Sequence, residues 1–226
     1  MKILALETST EFCSVALLAG EEIDARETRA GQKHSELLLP MIDALLRAHG
    51  VALRELTGIA FGQGPGSFTG LRIACGVVQG LAFGAGLPVV GIGTLFAMAA
   101  ATRAERVVCC VDARVRECYH AAYERDGEGW RAVHDPSVCA PAAVPALPGS
   151  GWLACGNGFA VYGDVLIEQY KGQLAGVDAD AVPHARDIAL LAAPYFESGD
   201  TLSAEQAAPL YLREKVALRI DERPNR

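Results

Sequence analysis

Apolar positions along the chain change period several times, and each change marks an element. KILALE (residues 2–7) is a short apolar run closed by Glu7, and CSVALLA (residues 13–19) is a second, with TSTEF between them. Gly20–Glu21 turns the chain into EIDARETR, which alternates imperfectly. Three short strands joined by tight turns predict a β-meander. From Lys33 to His49 the period becomes helical. On a helical wheel Glu36, Pro40, Asp43 and Arg47 fall within about 60° of one another. Leu37, Leu38, Leu39, Met41, Ile42, Ala44, Leu45, Leu46 and Ala48 fill the opposite arc of roughly 220°. One packed face takes only about 100°, so this helix either is fully internal or carries a second apolar side for a partner. Pro40 predicts a kink or a later start.

LTGIAFG reads as a strand leading into GQGPGSFTG and a second helix from Thr69 to Gly84. A strand, a glycine loop and a helix in that order point backbone N–H groups at an anion. Thr69 is the expected N-cap. Gly76, Gly80 and Gly84 recur every four residues and line one side of the helix. Such a ridge permits close approach of another backbone, either the chain's own sheet or a partner. A strand, LPVVGIG, and an Ala-rich helix, TLFAMAAATRAE, follow. The pattern then restarts more weakly. VVCCVDAR is a buried strand, and RECYHAAYERDGEGWRAVH is a hairpin turned at Asp126–Gly127. Pro136 to Gly149 is expected to be loop, WLACGNG a strand ending in a glycine loop, and Ala185 to Glu197 a helix before the tail APLYLREKVA. The expected architecture is two-lobed α/β with a mixed sheet in each lobe. Residues 1–104 form the first lobe, with the meander and both apolar helices, and 105–226 the second, a degenerate repeat.

Composition narrows the function classes. With 226 residues, 51% hydrophobic and 21% charged, the chain has enough apolar side chain to order its backbone. Its 24 glycines have no three-residue period, so it is not collagen-like. A net charge of −7 makes it a poor stand-alone nucleic-acid binder. No pair of its seven cysteines has C-x-x-C spacing, which points to small buried thiols in a reducing cytosol. Glu7 interrupts the first apolar run too early for a signal peptide. No charge falls between Arg72 and Arg103, but glycines and Pro88 punctuate that stretch. Helix, turn and strand account for it better than a membrane span. The expected compartment is the cytoplasm.

Three pieces of sequence carry a resemblance. ALETST holds Glu7, Thr8 and Ser9 at the tip of the first hairpin. GQGPGSFTGLR spans Gly62 to Arg72 and runs into Gly76, Gln79 and Gly80. The tail supplies Pro209, Tyr211, Leu212 and Arg213, and VDAR (Val111 to Arg114) agrees. Together they resemble the TsaB family of bacterial tRNA threonylcarbamoyladenosine biosynthesis proteins, over nearly the whole chain. The resemblance implies an actin/hexokinase/sugar-kinase-like fold and pairing with a paralogue, TsaD, that carries the chemistry. With the ATPase TsaE, that pair transfers threonylcarbamoyl to the adenosine beside the anticodon of certain tRNAs. An older name for the paralogue is a glycoprotease.

The residues test whether this chain is itself catalytic. TsaD-like proteins hold a metal with H-x-x-x-H after the strand that follows the glycine-rich helix. The matching stretch here is Thr94, Leu95, Phe96, Ala97 and Met98, which offers no ligand. The five histidines, His34, His49, His120, His134 and His184, form no local pair. Ser67 lacks the glycine two residues on that a nucleophile elbow has, and neither a P-loop nor a dinucleotide fingerprint is complete. Thr8, Ser9, Gly64 and Gly66 remain as degenerate phosphate loops, with Glu7 where phosphotransferases of this fold have a metal-binding Asp. No catalytic residue, metal or cofactor is therefore expected. The expected role is a non-catalytic scaffold docking TsaD, with tRNA reached only through the complex and a homodimer when isolated. The expected interface is Leu37, Leu38, Met41 and Leu45 on the first helix, with Ile73, Gly76, Val77, Gly80, Leu81 and Gly84 on the second. The competing class is an enzyme, either a stand-alone metallopeptidase or a sugar-kinase-like phosphotransferase.

Overall fold

Residues 2–7 are apolar on both faces, and a computed structural model of the chain, which describes residues 1–213, makes them the central strand β1 (Lys2–Glu7). β1 pairs antiparallel with β2 (Phe12–Ala19), which pairs antiparallel with β3 (Glu22–Arg29). On its other edge β1 pairs parallel with β4 (Gly58–Gly64), and β4 with β5 (Val89–Gly93). The order is β3-β2-β1-β4-β5. A second five-stranded sheet repeats this plan. β6 (Arg106–Asp112) is central, β7 (Cys118–Asp126) and β8 (Gly129–Cys139) extend it antiparallel, and β9 (Trp152–Cys155) and β10 (Leu174–Asp178) extend it parallel. Both sheets thus have the same order and the same strand directions, the two-lobed fold expected from the restart of the pattern.

Helices α1 (His34–Ala48) and α2 (Phe68–Ala85) cover one face of the first sheet. α1 buries Leu38, Ile42, Leu45 and Leu46 against β1 and β2 side chains such as Leu6 and Val15. Each buried aliphatic contributes about 1.5–3 kcal/mol. Leu38 and Leu45, expected at a partner interface, are therefore core residues with no exposed surface. The wheel gave two apolar sides and no means of telling which one the sheet takes. α1 runs through Pro40, which is exposed, so the helix neither starts late nor breaks there. α2 begins one residue earlier than expected, and its N-cap is Ser67 rather than Thr69, with the Ser67 hydroxyl accepting from Gly70 N–H at 3.3 Å. Length and composition alone would let α2 cross a membrane. In the fold it lays Leu71, Ala74, Cys75, Val78 and Ala82 inward, and Gly86 ends it in the left-handed conformation.

α3 (Thr94–Ala101) sits between the lobes, with Leu95, Met98 and Ala99 against Val107, Cys109 and Ala121 of the second sheet. α4 (Gly158–Val161) and α5 (Gly163–Gln169) cover the far face of that sheet with Phe159 and Leu166. Neither they nor β10 were expected. Residues 136–139, expected as loop, complete β8.

One assignment changes the lobe boundary. α6 (Ala185–Ser198) lies on the first sheet, where Ala185, Ile188, Ala189 and Ala192 pack on Ile3, Ala5, Ala16, Ala60 and Ile92. The segment after it stays there, since Leu202 bridges Val89 and the turn at Ala204–Gln206 packs beside α2. Residues 185–213 therefore belong physically with the first lobe, not with a second lobe spanning 105–226. The alanine stripe on α6 is what lets it seat closely on a sheet. Glu214–Ala217 of the expected tail motif lie outside the described residues.

Candidate docking face and its anchoring loops

The three motifs that carry the resemblance meet at the C-terminal end of the first sheet. Ser67 N–H donates to the Ser9 carbonyl at 2.7 Å, and the Thr8 hydroxyl donates to the Gly70 carbonyl at 2.8 Å. The glycines are what allow this. A Cβ at Gly70 would overlap the Thr8 carbonyl oxygen, and one at Gly66 would lie 2.6 Å from the Ser9 Cβ. Gly64 has φ near +113°, a conformation that side chains disfavour. Of the residues expected as degenerate phosphate loops, Ser9 is thus packed on Gly66 and Thr8 on Gly70, while Gly64 is packed against Leu71 and the Leu210 carbonyl. The Ser67 amide that could meet a phosphate already has the Ser9 carbonyl as acceptor.

Glu7 ends β1 under this loop and is 1% exposed. Its Oε1 accepts from Ser9 N–H, while Oε2 has no partner and lies where a Gly62 side chain would be. Burial pushes its carboxyl up to about 7, against the hydrogen bonds from Ser9 and Thr8 that favour the charged form. At the head of α3, Thr94 donates to the Pro65 carbonyl. Thr94, Leu95, Ala97 and Met98 are buried there. Among the described residues, no three His, Cys, Asp or Glu side chains converge as metal ligands.

The tail straps itself along α2. Leu210 N–H donates to the Gln63 carbonyl at 2.7 Å, and Gln79 and Cys75 both donate to the Ala207 carbonyl, at 2.8 and 3.2 Å. Arg213 pairs with Glu117 of the second lobe, next to the VDAR turn. In that turn Asp112 accepts from the Tyr162 hydroxyl at 2.8 Å and pairs with Arg114. All four motif segments are therefore linked through the strap.

Outside this anchor, α2 and α1 present an apolar face. Gly76, Gly80 and Gly84 lie on the solvent side of α2, and among the described residues a Cβ at any of them would meet nothing within 4 Å. The ridge is therefore not seated on the chain's own sheet. Ile73, Val77 and Leu81 flank it half-buried, as do Leu37 and Met41 on α1. The sequence reading missed Phe83, which is 72% exposed, and Leu39, which is 49% exposed. Phe83 is three residues after Gly80, and a large aromatic inside a glycine ridge was the signal for it. Gly76, Gly80 and Phe83 border a groove of about 470 Å³ whose other wall is Gln79 with Ala204 and Glu205 of the strap. A continuous apolar surface next to a groove suits a partner helix or side chain better than a small polar ligand.

Comparison with known proteins gives the family. A family model described as TsaD: tRNA N6-adenosine threonylcarbamoyltransferase matches residues 26–219. The chain is 38% identical to the tRNA threonylcarbamoyladenosine biosynthesis protein TsaB of Escherichia coli strain K12, over 96% of each protein. It is 40% identical to the TsaB of Haemophilus influenzae, over 96% of this chain and 95% of that one. Among solved structures, YeaZ from Pseudomonas aeruginosa superposes with a TM-score of 0.85 at 39% identity, covering 93% of this chain and 99% of that one. With its two mixed sheets and motif-bearing loops, the chain belongs to the TsaB family of tRNA threonylcarbamoyladenosine biosynthesis proteins.

Proposed function

We propose that the chain is a non-catalytic scaffold subunit in the transfer of threonylcarbamoyl to the adenosine beside the anticodon of tRNA. It docks the catalytic paralogue TsaD through the outer face of α1 and α2. In the larger complex it works beside TsaE, in the cytoplasm, and it meets tRNA only through its partners. The observation that carries this reading is the open ridge of Gly76, Gly80 and Gly84 beside the exposed Phe83. Glycine inside a helix costs about 0.5–1 kcal/mol relative to Ala. Nothing among the described residues recovers that cost, whereas a closely approaching helix would. The docking set is revised accordingly to Leu37, Leu39, Met41, Ile73, Gly76, Val77, Gly80, Leu81, Phe83 and Gly84. When isolated, two copies cover the same face by twofold symmetry. The acidic net charge of −7 fits a subunit that does not itself hold RNA.

The test is co-purification with the cognate TsaD. Wild-type chain is expected to elute with TsaD, whereas Gly80→Leu and Phe83→Glu elute alone, both with unchanged circular dichroism. Retained TsaD binding by both variants would place the docking surface elsewhere.

A further inference from the structure

The second sheet carries a thiol cluster that the docking face does not use. Cys118 opens β7, Cys139 closes β8, and the two are direct register partners. Residues opposite each other on antiparallel strands share a face, with Cα atoms about 4.5–5.5 Å apart. A disulfide spans about 4.4–6.8 Å between Cα atoms, so the backbone already has the separation that a bridge requires. Cys110 on β6 is diagonal to Cys118, because Asp112 pairs with Cys118 and Cys110 with His120. The three thiols enter one core layer, beneath Phe159 and Tyr170. All seven cysteines of the chain are free.

Two features separate this pair from the other cysteines. Cys139 is the most exposed of the cysteines while Cys118 has no exposed surface, so solvent approaches the pair through Cys139 at the open end of the hairpin. The Cys110 thiol beside Cys118, and Cys139 after it, hold the Cys118 thiol below the usual thiol pKa against the opposing effect of burial. Cys139 itself is pushed up to about 11 by burial and by its neighbour Cys118. The pair thus has a thiolate-favouring member beside a protonated one, the asymmetry that thiol oxidation uses.

We propose that Cys118 and Cys139 form a redox pair, converted to a disulfide by hydroperoxides, that staples the open end of the β7–β8 hairpin. The Cys118 thiolate attacks the outer peroxide oxygen. An S–O bond forms, the O–O bond breaks, and the leaving oxygen takes a proton to become water or an alcohol. Cys139 then attacks the Cys118 sulfur. The S–S bond forms, the S–O bond breaks, and hydroxide leaves as water with the Cys139 proton. The two sulfurs lose two electrons in all, and the peroxide gains them. Glu117, the residue before Cys118, holds Arg213 of the strap, so the staple fixes the second-lobe end of that link.

The experiment treats folded, reductant-free full-length chain with hydrogen peroxide and follows intact mass and non-reducing peptide maps. The expected result is loss of two hydrogens, one linked peptide pair containing Cys118 and Cys139, and reversal by a thiol reductant. Cys110→Ser keeps the link. Cys139→Ser loses it and accumulates a Cys118 sulfenic acid that dimedone traps. The proposal is overturned if native chain keeps all its thiols under peroxide. It is equally overturned if Cys118 links to Cys110, or if the Cys118–Cys139 link appears only in denaturant. The wild-type map decides the matter even if a variant fails to fold.

Discussion

Arg72 donates its Nε–H to the Tyr211 hydroxyl at 2.9 Å, joining α2 to a residue 139 positions later. The same guanidinium lies 3.7 Å from the Phe68 ring centroid, and the Phe68 and Tyr211 rings are 5.4 Å apart. At Tyr211 the strap is thus held by one side-chain hydrogen bond and a tilted aromatic pair. Tyr211→Phe removes only the bond and is expected to cost at most about 0.5–1.5 kcal/mol. Tyr211→Ala also removes the ring, its pairing with Phe68 and its own contact with the Arg72 guanidinium at 5.8 Å, about 0.5–1 kcal/mol more at an exposed site. Limited proteolysis between residues 207 and 213 should accelerate strongly in the Ala variant and little in the Phe variant. Equal cleavage of both would mean that the ring contact does not anchor the tail.

Gly76→Ala and Gly84→Ala should each stabilise the isolated chain by about 0.5–1 kcal/mol, because helix propensity improves and the new methyl meets open space. The measurement is the urea midpoint at constant slope. At a dilution where the chain is monomeric, a lowered midpoint in either variant would show a packing partner inside the chain.

Gly70→Ala should behave oppositely, although Gly70 lies in the same helix. Its Cβ would overlap the Thr8 carbonyl, which is backbone and cannot rotate aside. Overpacking of this kind costs about 1–3 kcal/mol or more. A Gly70→Ala chain that melts with the wild type would disprove the close seating of α2 on the first hairpin.

Glu7 makes stability depend on pH in a definite direction. Its carboxyl titrates near 4.5 when unfolded and about 7 when folded, because burial opposes the charge. The folded state therefore holds the extra proton between those values. This contribution is fully present below about pH 4.5 and is lost as pH rises through about 7. The local slope is about 1.4 kcal/mol per pH unit. Glu7→Gln keeps an acceptor for Ser9 N–H and removes the titration. The wild-type chain should lose stability relative to Glu7→Gln between pH 4.5 and 7, with a constant difference above pH 7.5 or so. A difference independent of pH would show that Glu7 is ionised throughout.

The strands and helices were legible wherever period and composition agreed. β1, β2 and β4 were visible because a fully apolar run between turn residues has few other uses, and α1 and α2 because their patterns are long. What failed was the choice between equivalent surfaces. Leu38 and Met41 lie on neighbouring parts of one apolar arc, and only the position of β2 decides that Leu38 is core and Met41 rim. The alanines of α6 announce close packing but not the sheet they pack on, which is why residues 185–213 were assigned to the wrong lobe. α5 is seven residues long and has no side-chain cap, so it left no start signal. At the loops, the glycines were visible, but their neighbours were not. Gly62 and Gly70 look alike in sequence, yet one makes room for the Glu7 carboxylate and the other for the Thr8 backbone.

The return of α6 to the first sheet sets an order of events during synthesis. Residues 1–104 emerge first from the ribosome, but one face of their sheet stays uncovered until the residues after 184 have been made. The second lobe's sheet and covering helices lie within residues 106–178 and can close before that. The lobe that begins the chain is therefore the last to be completed, and until then it exposes Ile3, Ala5, Ala16 and Ala60 to water. A nascent chain stalled before α6 carries an open apolar sheet face, which makes it a natural client for chaperones.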